Sequence, residues 1–181
     1  KAAPILWCNK VMNNPYKQAV VVNSGNANAC TGPKGEEAVM ATANKAAVVL
    51  GIQPEEVLIA STGVIGLLLP VEKILSGIET LAPKLGNSQE DGDIAANAIL
   101  TTDTIKKTIA VAVEIDGQMV KIGGMAKGSG MIHPNMATMF AMITTDAAVE
   151  KKLLQEMVTK ITKKTFNMIT VDGDTSTNDT F

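Results

Sequence analysis

Residues Thr108–Ile122 read TIAVAVEIDGQMVKI. β-Branched and apolar residues dominate Thr108–Ile115, Asp116-Gly117 favours the positive-φ turn of a tight hairpin, and Gln118–Ile122 supplies the return strand. An antiparallel pair here excludes a purely doubly wound parallel sheet. Upstream the pattern differs. Gln18–Asn23 (QAVVVN) reads as a buried strand ended by the turn-rich SGNANACTGPKG. From Glu36 to Leu50, Val39, Ala43, Ala46, Ala47 and Leu50 recur at helical spacing, acids occupy the first turn, and Gly51 can close the helix. A second strand, Val57–Ala60, leads into STGVIG, and helices are expected over Val71–Leu81 and Asp91–Leu100. Beyond the hairpin, a strand over Thr138–Ile143 precedes a helix over Ala147–Lys164 that is expected to bury Leu153, Leu154, Met157, Val158 and Ile161. The expected class is α/β, a layered sandwich of mixed or antiparallel strands with outer helices, forming one structural unit.

The chain has 181 residues, 46% hydrophobic and 19% charged, with a formal net charge of -2, which describes a soluble globular protein. Its 16 basic residues are dispersed and its aromatics are one Trp, one Tyr and three Phe, so nucleic-acid binding is not expected. No apolar run is of membrane-spanning length and KAAPILWCNK is no signal peptide, which points to the cytoplasm and away from a membrane. Cys8 and Cys30 are too few to make a disulfide framework, in keeping with a reducing compartment.

Four stretches could carry chemistry. The run GGMAKGSG lacks a lysine after its last glycine, so it is not a phosphate loop, and Gly128, Gly130 and His133 do not complete a dinucleotide fingerprint. Its glycine density lets backbone approach a ligand closely, or it is a mobile surface loop after the hairpin. The only histidine, His133, would have to serve any Ser-His-Asp or Cys-His scheme, and it cannot assemble a zinc site with two distant cysteines. Asp172–Thr180 (DGDTSTNDT) is rich in oxygen but has Thr177 where a calcium loop needs glycine, so a hydrogen-bonded turn is expected. STGVIG follows a buried strand, and a hydroxyl next to a glycine amide there could hold an oxyanion, or the stretch is a plain strand exit. Thr138, behind the small Ala137, is either an ordinary β-former or, once the bond before it is cut, a nucleophile carrying its own amine base.

Five blocks, NSGNANACTG, ASTGVIG, TTDT, GGMAKGSGMIHPNMATM and VDGDTSTNDT, occur in this order. Together they resemble the ornithine acetyltransferase family, also called glutamate N-acetyltransferases, over nearly the whole chain. The resemblance implies a self-processing, N-terminal-nucleophile-like enzyme of arginine biosynthesis, cut between Ala137 and Thr138 into an α segment, 1–137, and a β segment from 138 to 181. It implies that Thr138 carries the acetyl group, that Thr62 and Gly63 hold the oxyanion, and that Thr104, Lys127 and Thr138 contact substrate. The implied donor is N2-acetyl-L-ornithine and the acceptor L-glutamate, some members also accepting acetyl-CoA, with no metal or organic cofactor. The implied partner is the chain's own cleaved segment, in an α2β2 heterotetramer. Family chains extend past both Lys1 and Phe181, so the chain is expected to be truncated at both ends, with part of the pocket outside it. Two other readings stand beside this one: an N-terminal-nucleophile amidase or aminopeptidase, and an inactive ligand-binding fragment.

Overall fold

The computed structural model describes residues 1–130, 139–174, 176–178 and 180. Contacts divide the chain into two compact units, one spanning Lys1–Thr101 and the other beginning at Thr102. The expected mixture of strand directions is resolved by unit. One holds a parallel pair, the other a three-stranded antiparallel sheet.

In the first unit, β1 (Ala19–Asn26) and β2 (Val57–Val64) pair in parallel, from Ala19 opposite Val57 to Asn26 opposite Val64. Parallel neighbours need a long crossover, and α2 (Gly32–Leu50) supplies it. Its buried Ala38, Val39, Thr42, Ala43, Ala46 and Ala47 form one stripe, small enough for the helix to lie close on Val57 and Ile59. The helix starts at Gly32 rather than Glu36, because Pro33 fits a first turn that needs no amide, and its first turn therefore carries no acid. It ends at Gly51, whose φ of 70° is left-handed as expected. Preceding β1, α1 (Ala3–Val11) caps the edge of β2. Trp7 Nε1 donates to Val57 O at 2.9 Å and the Cys8 thiol to Ile59 O at 3.2 Å. Burial pushes the Cys8 thiol up in pKa, against the Ile59 carbonyl bond and Lys17, so it stays a neutral donor. Both cysteines are free.

Both strands outrun their expected ends. Ser24-Gly25-Asn26 and Ser61-Thr62-Gly63-Val64 remain in the ladder, although their composition resembles that of turns. Gly25 (φ 99°) and Gly63 (φ 131°) face each other, and a Cβ on Gly63 would come within 2.3 Å of the Gly25 carbonyl carbon. Only glycine allows that approach. Beyond β2, α3 (Val71–Leu81) has the expected bounds. The next helix, α4 (Gln89–Ala98), begins before Asp91 because Ser88 and Asp91 form a capping box.

In the second unit, β3 (Lys107–Ile115) and β4 (Gln118–Lys127) form the hairpin, turning at Asp116 (φ 49°) and Gly117 (φ 76°). β5 (Phe140–Thr145) joins β4 antiparallel, so β4 is central. The return strand does not stop at Ile122. Its ladder continues through Gly123, Gly124, Met125 and Ala126 to Lys127, which corrects the reading of GGMAK as loop. These glycines sit on ordinary strand backbone, where two neighbouring strands bond the peptide groups regardless of side chain. The last helix, α5 (Lys151–Thr162), is shorter than expected and starts at Glu150, whose carboxylate accepts the Leu153 amide at 2.9 Å.

The expected burial of α5 is also corrected. Leu153, Leu154, Met157 and Ile161 stand 44 to 50% exposed, and on this helix only Thr162 is buried. Every residue of β3 is exposed too, including Ile109, Val111, Val113 and Ile115 on one face. Spacing makes an apolar stripe; it does not supply the surface that covers it.

Candidate active site

Thr62 and Gly63 occupy the C-terminal part of β2, with Thr62 only 5% exposed. Four short polar side chains fix the backbone around them. Ser61 Oγ donates to Asn23 Oδ1 across the pair at 2.7 Å, and Asn23 Nδ2 donates to Asn26 O at 2.8 Å. Asn26 Nδ2 reaches the Leu67 and Leu68 carbonyls, while its Oδ1 accepts the Asn28 amide at 2.8 Å. Asn28 is wholly buried at φ 46°; its amide group donates to Gly35 O at 3.0 Å and its Oδ1 accepts from Thr31. Two backbone bonds, Ala27 N to Val64 O and Gly66 N to Ala29 O, tie the loops after the two strands together. The backbone on either side of Thr62 and Gly63 is thus tied by side-chain and main-chain hydrogen bonds at the end of β2.

The second unit gathers a charged group at the exit of β4. Lys127 closes that strand and is only 2% exposed. The side chain of Asp103, in the TTDT block, is fully buried. Its Oδ1 accepts the Gly128 amide at 2.9 Å and an ion pair from Lys107, four residues on. Thr102 and Ser129 join their hydroxyls at 2.7 Å, so the TTDT block lies along the Lys127–Ser129 segment. Burial works against ionisation of Asp103, but the Lys107 hydrogen bond, the Gly128 amide and the charges of Lys107 and Lys127 outweigh it. The carboxyl is held below its ordinary pKa. Thr104, next in the block, is exposed.

The sequence-derived candidates thus fall into two groups, Thr62 with Gly63 in one unit and Thr104 with Lys127 in the other. Ala137, Thr138 and His133 lie outside the described residues. In the Asp172 stretch, Asp172 (φ 60°) and Gly173 (φ 77°) form a turn, with Asp174 N donating to Asp172 Oδ1 at 3.3 Å and Asn178 N to Ser176 Oγ at 3.1 Å. These are turn hydrogen bonds, as expected there. Among the described residues no three His, Cys, Asp or Glu side chains cluster as metal ligands would. Sequence reading passed over Asp103 and the Asn23–Ser61 pair. The signal for Asp103 was an acid between threonines, shortly before Lys106 and Lys107.

The fold has counterparts among solved structures. An arginine biosynthesis bifunctional protein ArgJ from Bacillus halodurans superposes with a TM-score of 0.69 and 38% identity, covering 77% of this chain and 71% of that one. An ornithine acetyltransferase from Mycobacterium tuberculosis, complexed with ornithine, gives 0.67 and 38%, covering 75% and 71%. These likenesses define the class, an α/β fold shared with acetyltransferase-type enzymes. The ArgJ family model matches residues 1–181, and the chain belongs to the ArgJ family. Among curated relatives, the arginine biosynthesis bifunctional protein ArgJ of Thermosynechococcus vestitus is 53% identical over 179 residues, which is 98% of this chain and 42% of that protein. That of Caldanaerobacter subterraneus is 52% identical over 180 residues, 99% and 44%. The chain therefore spans less than half the length of these relatives.

Proposed function

We propose that the full-length protein transfers an acetyl group from N2-acetyl-L-ornithine to L-glutamate through an acetyl-threonine intermediate. The observation that carries this reading is likeness across almost the whole chain to ArgJ proteins, together with a solved relative named as an ornithine acetyltransferase complexed with ornithine. In this reading the Thr138 hydroxyl first attacks the Ala137 carbonyl, the amide shifts to an ester, and water releases an α segment ending at Ala137. The β segment then begins at Thr138. Its new α-amine has an ordinary pKa of about 7.7 to 8.0, so a fraction is neutral near pH 7 and can take the hydroxyl proton.

Thr138 Oγ next attacks the acetyl carbonyl of the donor. The Thr62 hydroxyl and Gly63 amide donate to the oxyanion, and ornithine leaves as its amine takes up the proton. Glutamate's amine attacks the acetyl ester in turn, restoring the hydroxyl. Thr104 and the buried ammonium of Lys127 contact the substrate, the lysine holding a carboxylate. Neither step needs a metal or an organic cofactor. Acetyl-CoA serves as a second donor, a role for which the word "bifunctional" in the relatives' names gives support. The cleaved segments stay together, assembling as an α2β2 heterotetramer. The cytoplasm is the site of action in a host without plastids, although a rice relative is named as chloroplastic. Among the described residues no helix is long and apolar enough to cross a membrane.

Product analysis of the full-length enzyme tests this. With acetylornithine and glutamate it forms acetylglutamate in step with ornithine, and Thr138→Ala abolishes both. Release of acetate in place of acetylglutamate would mark an amidase instead, and binding without turnover a ligand-binding fragment.

A further inference from the structure

Resting on that reading, we propose that Asp103 is a positioning residue, whose buried carboxylate anchors the Gly128 amide and so fixes the backbone that carries Lys127 at the exit of β4. Three observations meet here. The first is burial: the Asp103 side chain has no exposed surface, and Lys127 is 2% exposed. A buried ammonium needs compensating partners around it, which ties its role to the placement of the backbone that carries it. Asp103 is bonded to the amide of the next residue, Gly128, at 2.9 Å, and the charge of Lys127 is the smallest of the causes that lower its pKa.

The second is geometry. Asp103 Oδ1 is shared between the Gly128 amide and Lys107, so one oxygen ties the residue after Lys127 to the start of β3. Gly128 has a φ of 147°, a conformation that needs holding because nothing in glycine's own preferences selects it. The third is the other carboxylate oxygen. Asp103 Oδ2 is buried with no hydrogen-bond partner among the described residues, which is costly unless the negative charge itself is useful there. Charged groups around the site are Lys106 and Lys107 before and at the start of β3, Lys127 on β4, and Asp172, whose carboxylate lies beside Gly130. If Asp103 only plugged space, an amide would do as well.

Asp103→Asn separates the two roles, because it keeps an acceptor for Gly128 and removes the charge. In the full-length enzyme the KM for acetylornithine should rise about tenfold or more while kcat stays within about twofold. The Gly128 amide proton, followed by NMR in glycine-labelled enzyme, should move upfield as its acceptor loses charge. An unchanged KM, or a fall in kcat that merely tracks lost stability, would overturn the proposal. So would an unmoved Gly128 resonance. Failure of the acetyltransfer reading is seen separately, as a wild-type enzyme that turns nothing over; the Gly128 resonance then still decides the role of Asp103.

Discussion

Gly63 in β2 and Gly124 in β4 are both strand glycines, yet they are there for different reasons. At Gly63 the backbone sits at φ 131° and an added methyl would collide with the Gly25 main chain at 2.3 Å. At Gly124 an added methyl would meet only Ile109, Ile143 and the Met142 carbonyl, at 3.6 to 3.7 Å, which is ordinary contact. A contrast of burial likewise separates the α2–β2 packing of the first unit from β3 in the second. In the first, Val39, Val57 and Ile59 are between 0 and 3% exposed; in the second, the Ile and Val residues of β3 are 44 to 68% exposed. The packing of α2 on β2 is closed, whereas β3 presents an apolar face that nothing among the described residues covers. Because the chain spans under half of its relatives' length, such faces are what a part of a larger fold would display.

Substitutions can break this contrast. Gly63→Ala should cost about 4 kcal/mol or more in chemical denaturation, since backbone must move, whereas Gly124→Ala should stay within about 1 kcal/mol of the parent. Equal losses at both positions would remove the distinction. Next in size, Ile59→Ala should lose about 2 to 4 kcal/mol through a cavity in the first unit, and Val111→Ala less than about 1 kcal/mol in this chain. In the full-length protein the Val111 penalty should grow if a further segment covers β3, which would sharpen the comparison.

A smaller effect is expected from pH. The folded carboxyl of Asp103 is depressed, so its contribution is present above its unfolded pKa of about 3.9 and is lost as pH falls through the lower folded value. The stability gap between wild type and Asp103→Asn should therefore be full near neutrality and shrink in acid. A gap that is constant from pH 7 to the acid limb, in a thermal or denaturant titration, would show that the charge of Asp103 does not stabilise the fold.

Much of this architecture could be read from local pattern. Asp116-Gly117 announced the hairpin, Gly51 the end of α2, and Val71–Leu81 a helix whose bounds agree with the structure, because each depends on residues within a turn or two of itself. What escaped depends on distant partners. Gly123-Gly124 and Ser61–Val64 looked like turns until their neighbouring strands were known, and α5 was given a burial that only a facing surface can provide. Asp103 escaped for the same reason, since its acceptor role needs Gly128, 25 residues away. Of the candidate site, Thr62, Gly63 and Lys127 were proposed through the family resemblance, and the burial of Thr62 and Lys127 was not foreseen.

The account stands on the amine freed at Thr138. The direct test is mass spectrometry with N-terminal sequencing of the full-length enzyme after brief exposure to acetylornithine. A fragment beginning TMFAMITTDA and carrying one acetyl ester on its first residue is the predicted result. Acetyl transfer at an undiminished rate by a chain whose Ala137–Thr138 bond is still intact would contradict it.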